Sequence, residues 1–138
     1  MSISGFTLIR SKLLLPSQTN LLHRPRMCDL IARGLERKLT LVSAPAGYGK
    51  TSALVDFAQH TPTRVCWYTA DERDRDLSVF IAYLVGAIDE QFPGFAERLH
   101  STLDSLSGNL FHDPTGAVGA LVNEMLEIDT SFAIVMDN

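Results

Sequence analysis

The sequence predicts an α/β fold in which helices flank a parallel sheet. Three short β-prone runs, at residues 39–43, 64–69 and 132–137, alternate with segments whose apolar residues recur at helical spacing. This alternation is typical of parallel sheets, because each connecting helix covers a face of the sheet. The third run is apolar from Phe132 through Met136, as expected of a buried parallel strand. The sequence stops directly after it, so we expect a sheet truncated at this strand.

Helices are predicted over residues 26–37, 50–60, 77–92, 95–106 and 118–126, with a loop at residues 108–114. The longest has one apolar stripe, made of Leu77, Phe80, Ile81, Leu84, Val85, Ile88 and Phe92. Asp76 precedes this helix and can cap its first turn. Residues 1–20 are weakly periodic and end in a turn-prone stretch, which predicts a lead-in arm ahead of a domain at residues 21–138.

Composition and charge favour one soluble domain. The 138 residues include 12 Lys and Arg against 16 Asp and Glu, a formal net charge of −4, and 46% are hydrophobic, which excludes disordered and fibrous classes. No apolar run has the roughly 18–20 residues of a membrane helix, and the N-terminus lacks a signal-peptide pattern. Two cysteines without metal-ligand spacing favour a reducing compartment. We therefore expect a cytoplasmic protein without membrane contact.

The charges are unevenly distributed along the chain. Residues 1–70 carry nine Lys and Arg and three acids, whereas residues 71–138 carry three Arg and thirteen acids. The basic residues are scattered singly, which is typical of a solvated surface. The acidic half would repel DNA phosphates, so no direct DNA contact is expected from this segment.

A glycine-rich loop carries the strongest functional signal. The string Ala44-Pro45-Ala46-Gly47-Tyr48-Gly49-Lys50-Thr51 fits the phosphate-loop (Walker A) pattern G-x-x-x-x-G-K-[ST], with alanine in place of the first glycine. Its glycines allow successive N–H groups to turn toward a phosphate, and the following helix favours anions at its N-terminus. The loop therefore predicts a P-loop NTPase fold that binds a nucleotide.

Specific roles follow for the polar residues of the loop. Lys50 can reach the β- and γ-phosphates, the Thr51 hydroxyl can bind Mg²⁺, and the Ser52 N–H can meet the α-phosphate. The predicted nucleotide-binding residues are Ala44, Pro45, Ala46, Gly47, Tyr48, Gly49, Lys50, Thr51 and Ser52. The alternative, a chance glycine-rich turn, is disfavoured because the loop lies between a predicted strand and a predicted helix.

The last predicted strand ends in an acid that suits the same site. In a P-loop fold a buried strand commonly presents an acid beside the loop, where it holds Mg²⁺ through water (Walker B). We therefore predict Thr51 and Asp137 as metal-binding residues, and Lys50 and Asp137 as catalytic residues; the alternative for Asp137 is the polar end of a core strand. The amide of Asn138 can orient water but cannot take its proton, which predicts slow or absent hydrolysis.

The run from Leu41 to Thr51 resembles the N-terminal ATPase module of MalT-like regulators, the large ATP-binding LuxR-type transcriptional activators of the STAND class. Three further stretches agree in order and spacing: Lys12–Arg26 with its Arg-Pro-Arg, Val65–Glu72, and Phe132–Asp137. The resemblance covers roughly residues 8–138, and the string from Ala44 to Thr51 is its most specific part.

This resemblance implies a molecular switch. Such proteins bind ATP or ADP with Mg²⁺, respond to an inducer through a C-terminal sensor, self-associate when ATP-bound and activate transcription through a terminal helix-turn-helix. We expect neither the sensor nor the helix-turn-helix within these 138 residues. The resemblance also implies that Leu22, His23 and Arg24 lie against the adenine, the alternative being a solvated surface loop. The family usually has a second Asp where Asn138 stands.

Two other functions remain open from the residues. A non-enzymatic nucleotide-binding module is consistent with Asn138. A small-molecule kinase on the same scaffold is less consistent, because a kinase lid needs several arginines and only Arg98 follows Arg75.

The remaining chemically active residues are predicted to have structural or surface positions. His60, His100 and His112 share no spacing that would bring them together, which favours the surface for each. Trp67 is predicted in the core, and the charged loop Asp71–Asp76 is predicted to be solvated.

Overall fold

The computed structural model describes residues 2–3, 6–105 and 114–138. Near the N-terminus, β1 (Ser2–Ile3) and β2 (Phe6–Thr7) form a short antiparallel pair. The central sheet consists of β3 (Arg64–Thr69) and β4 (Phe132–Asp137), which run parallel with Arg64 opposite Phe132 and Thr69 opposite Asp137. The α/β class with a parallel sheet is therefore confirmed, and within the described residues this sheet has two strands.

The described helices are α1 (Pro25–Gly34), α2 (Lys50–His60), α3 (Leu77–Gln91), α4 (Phe95–Ser105) and α5 (Pro114–Leu126), with short 3₁₀ turns at Arg10–Lys12 and Glu72–Arg75. They confirm the predicted helices to within a few residues at their ends. The Asp76 carboxylate accepts hydrogen bonds from the N–H groups of Ser78 and Val79, which confirms the predicted cap. Of the loop predicted at residues 108–114, positions 108–113 lie outside the described residues. A helix with the length and hydropathy of a bilayer span is absent from the described part of the chain.

The predicted first strand, residues 39–43, is wrong. In the described residues this segment pairs with neither sheet, and Leu39 and Leu41 are 80% and 84% exposed. The Thr40 hydroxyl instead donates to the Gly34 carbonyl at 2.8 Å, which holds the segment near the end of α1. Residues of the segment and of β4 line a common open cleft of about 1170 Å³. A β-prone run becomes a strand only when a neighbouring strand supplies hydrogen-bond partners, and here none lies alongside it in the described residues.

Side chains of β3 alternate between two faces, and helices cover both. Cys66 and Tyr68 lie in the main apolar cluster, which includes the buried sides of α3, α4 and α5. Trp67 lies on the other face, where it packs with Val55 of α2 and Val135 of β4. Trp67 is 2% exposed, so its predicted core position is confirmed. This second cluster packs α2 directly against the sheet.

The arm before α1 is packed into the main cluster. Leu8 and Leu13 are buried there. A Cβ added at Gly86 of α3 would lie 2.6 Å from the Leu8 Cδ1 and 2.9 Å from the Leu13 Cδ1. The arm therefore approaches α3 at a position where the missing side chain of glycine makes room.

Lys12 joins the arm to the loop after β3. Its Nζ donates to both carboxylate oxygens of Asp74 at 2.7 Å and lies 2.9 Å from Asp71 Oδ2. Asp74 is buried, and its Oδ2 also accepts the Asp71 N–H at 2.9 Å. The prediction of a solvated loop at Asp71–Asp76 is therefore wrong for Asp74, because a lysine 62 positions earlier in the chain compensates its charge in the interior.

Candidate functional site

The glycine-rich loop leads directly into α2, and two of its glycines have left-handed backbone conformations. The φ angles are +82° at Gly47 and +76° at Gly49. A Cβ at Gly47 would contact nothing within 4 Å, and one at Gly49 would make only ordinary contacts. The loop therefore requires glycine at both positions for backbone conformation rather than for space.

The side chain of Lys50 folds back over the start of the loop. Its Nζ donates to the Ala44 carbonyl at 2.8 Å and to the Pro45 carbonyl at 3.3 Å. The turn is closed by the Tyr48 N–H, which donates to the same Pro45 carbonyl at 3.3 Å. The ammonium group thus lies within the curve of the loop, where it can meet an anion that the loop N–H groups also contact.

Thr51 and Asp137, predicted as the two metal ligands, lie together. The Thr51 hydroxyl donates to Asp137 Oδ2 at 2.8 Å, across 86 positions of sequence. Asp137 is 9% exposed, and its backbone carbonyl accepts the Ala70 N–H at 2.7 Å. The contact forms because the carboxyl end of β4 abuts the first turn of α2. A hydroxyl and a carboxylate at one point are oxygen donors of the kind that Mg²⁺ prefers.

The other predicted loop residues differ in their exposure. Pro45, Ala46 and Tyr48 are exposed, and Ser52 is half-buried in the first turn of α2. Gly49 is the N-cap of α2, and no side chain caps the helix there. The first N–H groups of α2 therefore have no side-chain partner at the cap and are placed to bind an anion.

Asn138 is exposed and lines the open cleft together with Lys50 and Asp137. It directly follows Asp137, the last residue of β4. An amide at this place can hold water by hydrogen bonding but has no basic group to accept the proton.

Arg24 is a second cation beside the loop. Its guanidinium lies 3.7 Å from the position of a Cβ on Gly49. Its backbone N–H donates to the Asp56 Oδ2 of α2 at 2.7 Å, which fixes the residue at the entrance to α1. Leu22, from the same segment, is 72% exposed. Pro25 is the sequence signal for the start of α1 at this point. A residue before proline favours an extended conformation, so Arg24 lies outside the helix.

His60 and His23 form a contact that the sequence analysis did not predict. His60 is exposed, as predicted, but its ring stacks on that of His23 with centroids 3.9 Å apart. Both rings contact the Asp56 carboxylate. The spacing of Asp56 and His60, one helical turn apart, was a usable signal for part of this cluster.

The fold and site together define an α/β domain with a glycine-rich loop, a lysine and a threonine–aspartate pair at one end of a parallel sheet. The chain is 39% identical over 83 residues to the HTH-type transcriptional regulator MalT of Vibrio campbellii, which covers 59% of this chain and 9% of that protein. It is 32% identical over 113 residues to MalT of Cronobacter sakazakii, which covers 75% of this chain and 12% of that protein. It is 28% identical over 124 residues to the serine/threonine-protein kinase PknK of Mycobacterium tuberculosis, with coverage of 86% and 11%.

These relatives are much longer than the chain, which spans about a tenth of their length. No family model matches the chain. No solved structure matches it either. The chain is therefore similar to one region of MalT-type regulators and of PknK, in agreement with the resemblance given by its motifs.

Proposed function

We propose that this chain is the nucleotide-binding part of a signal-responsive transcriptional regulator, in which ATP or ADP acts as a switch. The observation that carries the proposal is the hydrogen bond between Thr51 and Asp137 at the end of the glycine-rich loop. It brings together a loop that suits phosphate and an acid that suits the associated metal. The similarity to MalT-type regulators supports the regulatory part of the proposal.

In this function each residue of the site has a defined task. The loop N–H groups and the first turn of α2 bind the phosphates, and Lys50 neutralises the β- and γ-phosphates. Thr51 and Asp137 hold Mg²⁺, whose role is to screen phosphate charge. Their fit to this ion rests on the donor set, a hydroxyl oxygen and a largely buried carboxylate. Arg24 adds positive charge beside Gly49.

Hydrolysis in this chain is slow or absent, because Asn138 offers no base to the attacking water. Replacing Asn138→Asp supplies a carboxylate beside Asp137. If the side chain at this position activates the attacking water, the ATPase rate rises by roughly tenfold or more. An unchanged rate would mean that this position does not activate the water.

The proposal includes cytoplasmic localisation and self-association in the ATP-bound state, and it assigns no DNA contact to these residues. A non-enzymatic nucleotide-binding module is the second candidate, favoured by Asn138. The relative PknK is named as a kinase, but it shares about a tenth of its length with this chain, so no protein kinase activity is proposed here.

Calorimetric titration of the chain with ATP and with ADP, with and without Mg²⁺, tests the proposal. We expect saturable binding of the nucleotide. Lys50→Ala should abolish it, because the variant lacks the ammonium group that would contact the phosphates at the loop. Arg75→Ala is the matched control, since this cation is 80% exposed and lies 3.9 Å from Glu72. Absence of binding by the folded chain, or equal affinity in Lys50→Ala, would contradict the nucleotide site.

A further inference from the structure

A second polar cluster lies behind the glycine-rich loop, between the segment before α1 and the far end of α2. It is built from His23, Asp56 and His60, with Cys28 at its edge. The Asp56 side chain is 2% exposed, whereas those of His23 and His60 are 43% and 47% exposed. The cluster therefore consists of a buried carboxylate covered by two imidazoles that solvent can reach.

The donor atoms converge on one side of the carboxylate. The Nδ1 atoms of His23 and His60 lie 2.8 Å and 3.0 Å from the same oxygen, Asp56 Oδ1. One ligand atom from each of the three residues lies within 4.8 Å of the others. In a tetrahedral zinc site, bonds of about 2.0–2.1 Å place neighbouring ligand atoms about 3.3 Å apart. The two N–O separations are thus about 0.3–0.5 Å shorter than those that a bound ion would need. The His60 Nδ1 also lies 2.8 Å from the Asp56 backbone carbonyl oxygen, and it would exchange this contact for the ion.

In the described part of the chain, the Asp56 carboxylate has no ion pair with a Lys or Arg side chain. Burial alone would raise the pKa of this carboxyl, but hydrogen bonds from His23, the Arg24 N–H and Cys28 lower it to about 2, so the group is ionised. Among the residues that the structure describes, the side chains that pair ionically with Asp56 are both histidines. The Arg24 guanidinium lies toward Gly49 instead. A divalent ion held by the two imidazoles and the carboxylate would compensate this buried charge.

We propose that His23, Asp56 and His60 form a binding site for a divalent transition-metal ion, with zinc as the best match. Two imidazole nitrogens and one carboxylate oxygen are the ligands of such ions, and they bind Mg²⁺ poorly. The fourth position is taken by water. Cys28 lies outside the ligand set because its Sγ donates to the other carboxylate oxygen, Asp56 Oδ2, at 3.3 Å.

The site lies between two elements that the nucleotide site also uses. His23 precedes Arg24, and Asp56 Oδ2 accepts the Arg24 N–H while its other oxygen contacts the histidines. A bound ion would therefore hold the chain before α1 against α2 and keep Arg24 beside Gly49. The metal site itself requires nothing of the nucleotide proposal and is tested without nucleotide.

The test is a zinc titration of the untagged, chelator-treated chain in competition with a chromophoric chelator. We expect one Zn²⁺ per chain, undiminished by excess Mg²⁺, and a tetrahedral Co²⁺ absorption spectrum when Co²⁺ replaces it. His60→Gln should weaken zinc binding at least tenfold, since even outer residues of metal sites contribute that much. His100→Gln on α4 is the matched control and should leave the affinity unchanged.

Two further variants make the outcome decisive. His23→Gln should weaken zinc binding as His60→Gln does, and both histidines are exposed enough that the fold should tolerate the change. Lys50→Ala should bind zinc normally, which separates this site from the glycine-rich loop. Absence of zinc binding by the folded chain, or equal affinity in the wild type, His23→Gln and His60→Gln, would overturn the proposal.

Discussion

Replacing Lys12→Met should destabilise the chain strongly, because it leaves the charge of Asp74 in the interior without its cation. The side chains of Lys12 and Asp74 are 11% and 4% exposed, and Nζ contacts both carboxylate oxygens. Breaking a buried ion pair by removing one partner costs about 3–5 kcal/mol. In the variant, the Asp71 N–H still donates a hydrogen bond to the Asp74 carboxylate, which reduces the cost. We therefore expect a loss of about 2–3 kcal/mol in the free energy of unfolding.

Urea and thermal unfolding followed by circular dichroism measure this loss. For a domain of this size, 2–3 kcal/mol corresponds to a Tm lower by about 6–12 °C. Lys38→Met is the matched control, since Lys38 is exposed and its loss should change stability by no more than about 0.5 kcal/mol.

A double-mutant cycle with Asp74→Asn separates the pair from other effects of the substitution. The coupling free energy between positions 12 and 74 should exceed about 1 kcal/mol, because the two side chains contact directly. A loss below about 1 kcal/mol in Lys12→Met, or independent effects of the two substitutions, would refute the reasoning that the buried pair fixes the arm.

Three further predictions concern the site, the packing of α3 and the pH dependence of stability. Thr51→Val removes the hydroxyl that contacts Asp137. Added Mg²⁺ should therefore increase the ATP affinity of the variant less than that of the wild type, whereas the affinity without Mg²⁺ should be the same. An equal effect of Mg²⁺ on both proteins in calorimetry would exclude Thr51 as a ligand. Gly119→Ala has open space around its Cβ and should stabilise α5 by about 0.5–1 kcal/mol. Gly86→Ala places its Cβ against two buried leucines, so it should be less favourable than Gly119→Ala by about 1–3 kcal/mol. Equal changes in the free energy of unfolding, measured by chemical denaturation, would contradict the packing of the arm against α3. Because the folded pKa of Asp56 is about 2, below its usual 3.8, its contribution to stability is complete above about pH 4 and is lost as the pH falls toward 2. Asp56→Asn should therefore have a flatter acid-unfolding profile than the wild type, and identical profiles would count against this assignment.

Local sequence patterns predicted most of the secondary structure. The apolar stripe of α3 and its cap at Asp76 depend on residues within a few positions of each other, and both are confirmed. The run at residues 39–43 has comparable β-propensity to β3 but forms no strand in the described chain. Propensity describes a residue's fit to a sheet, whereas strand formation also depends on a neighbour that the run itself does not specify.

The candidate site was predictable where a motif links distant residues. The glycine-rich loop and the terminal acid predicted that Thr51 and Asp137 share a site, and the structure places them 2.8 Å apart, while their metal role stays a prediction. No motif linked Lys12 with Asp74, or His23 with Asp56, because these pairs join segments far apart in the chain. Such contacts are set by tertiary packing, which single-residue patterns do not encode.

The parallel pairing of β3 with β4 also determines when the site can form during folding. Each residue pair in this pairing joins positions 68 apart in the sequence, such as Arg64 and Phe132. Closing a loop of that length costs about 4 kcal/mol of chain entropy before the contacts compensate it. The helices α3, α4 and α5 lie within that loop and form from local contacts, so their assembly should precede the ladder. We therefore expect the Thr51–Asp137 contact to be among the last to form, after β3 and β4 have paired.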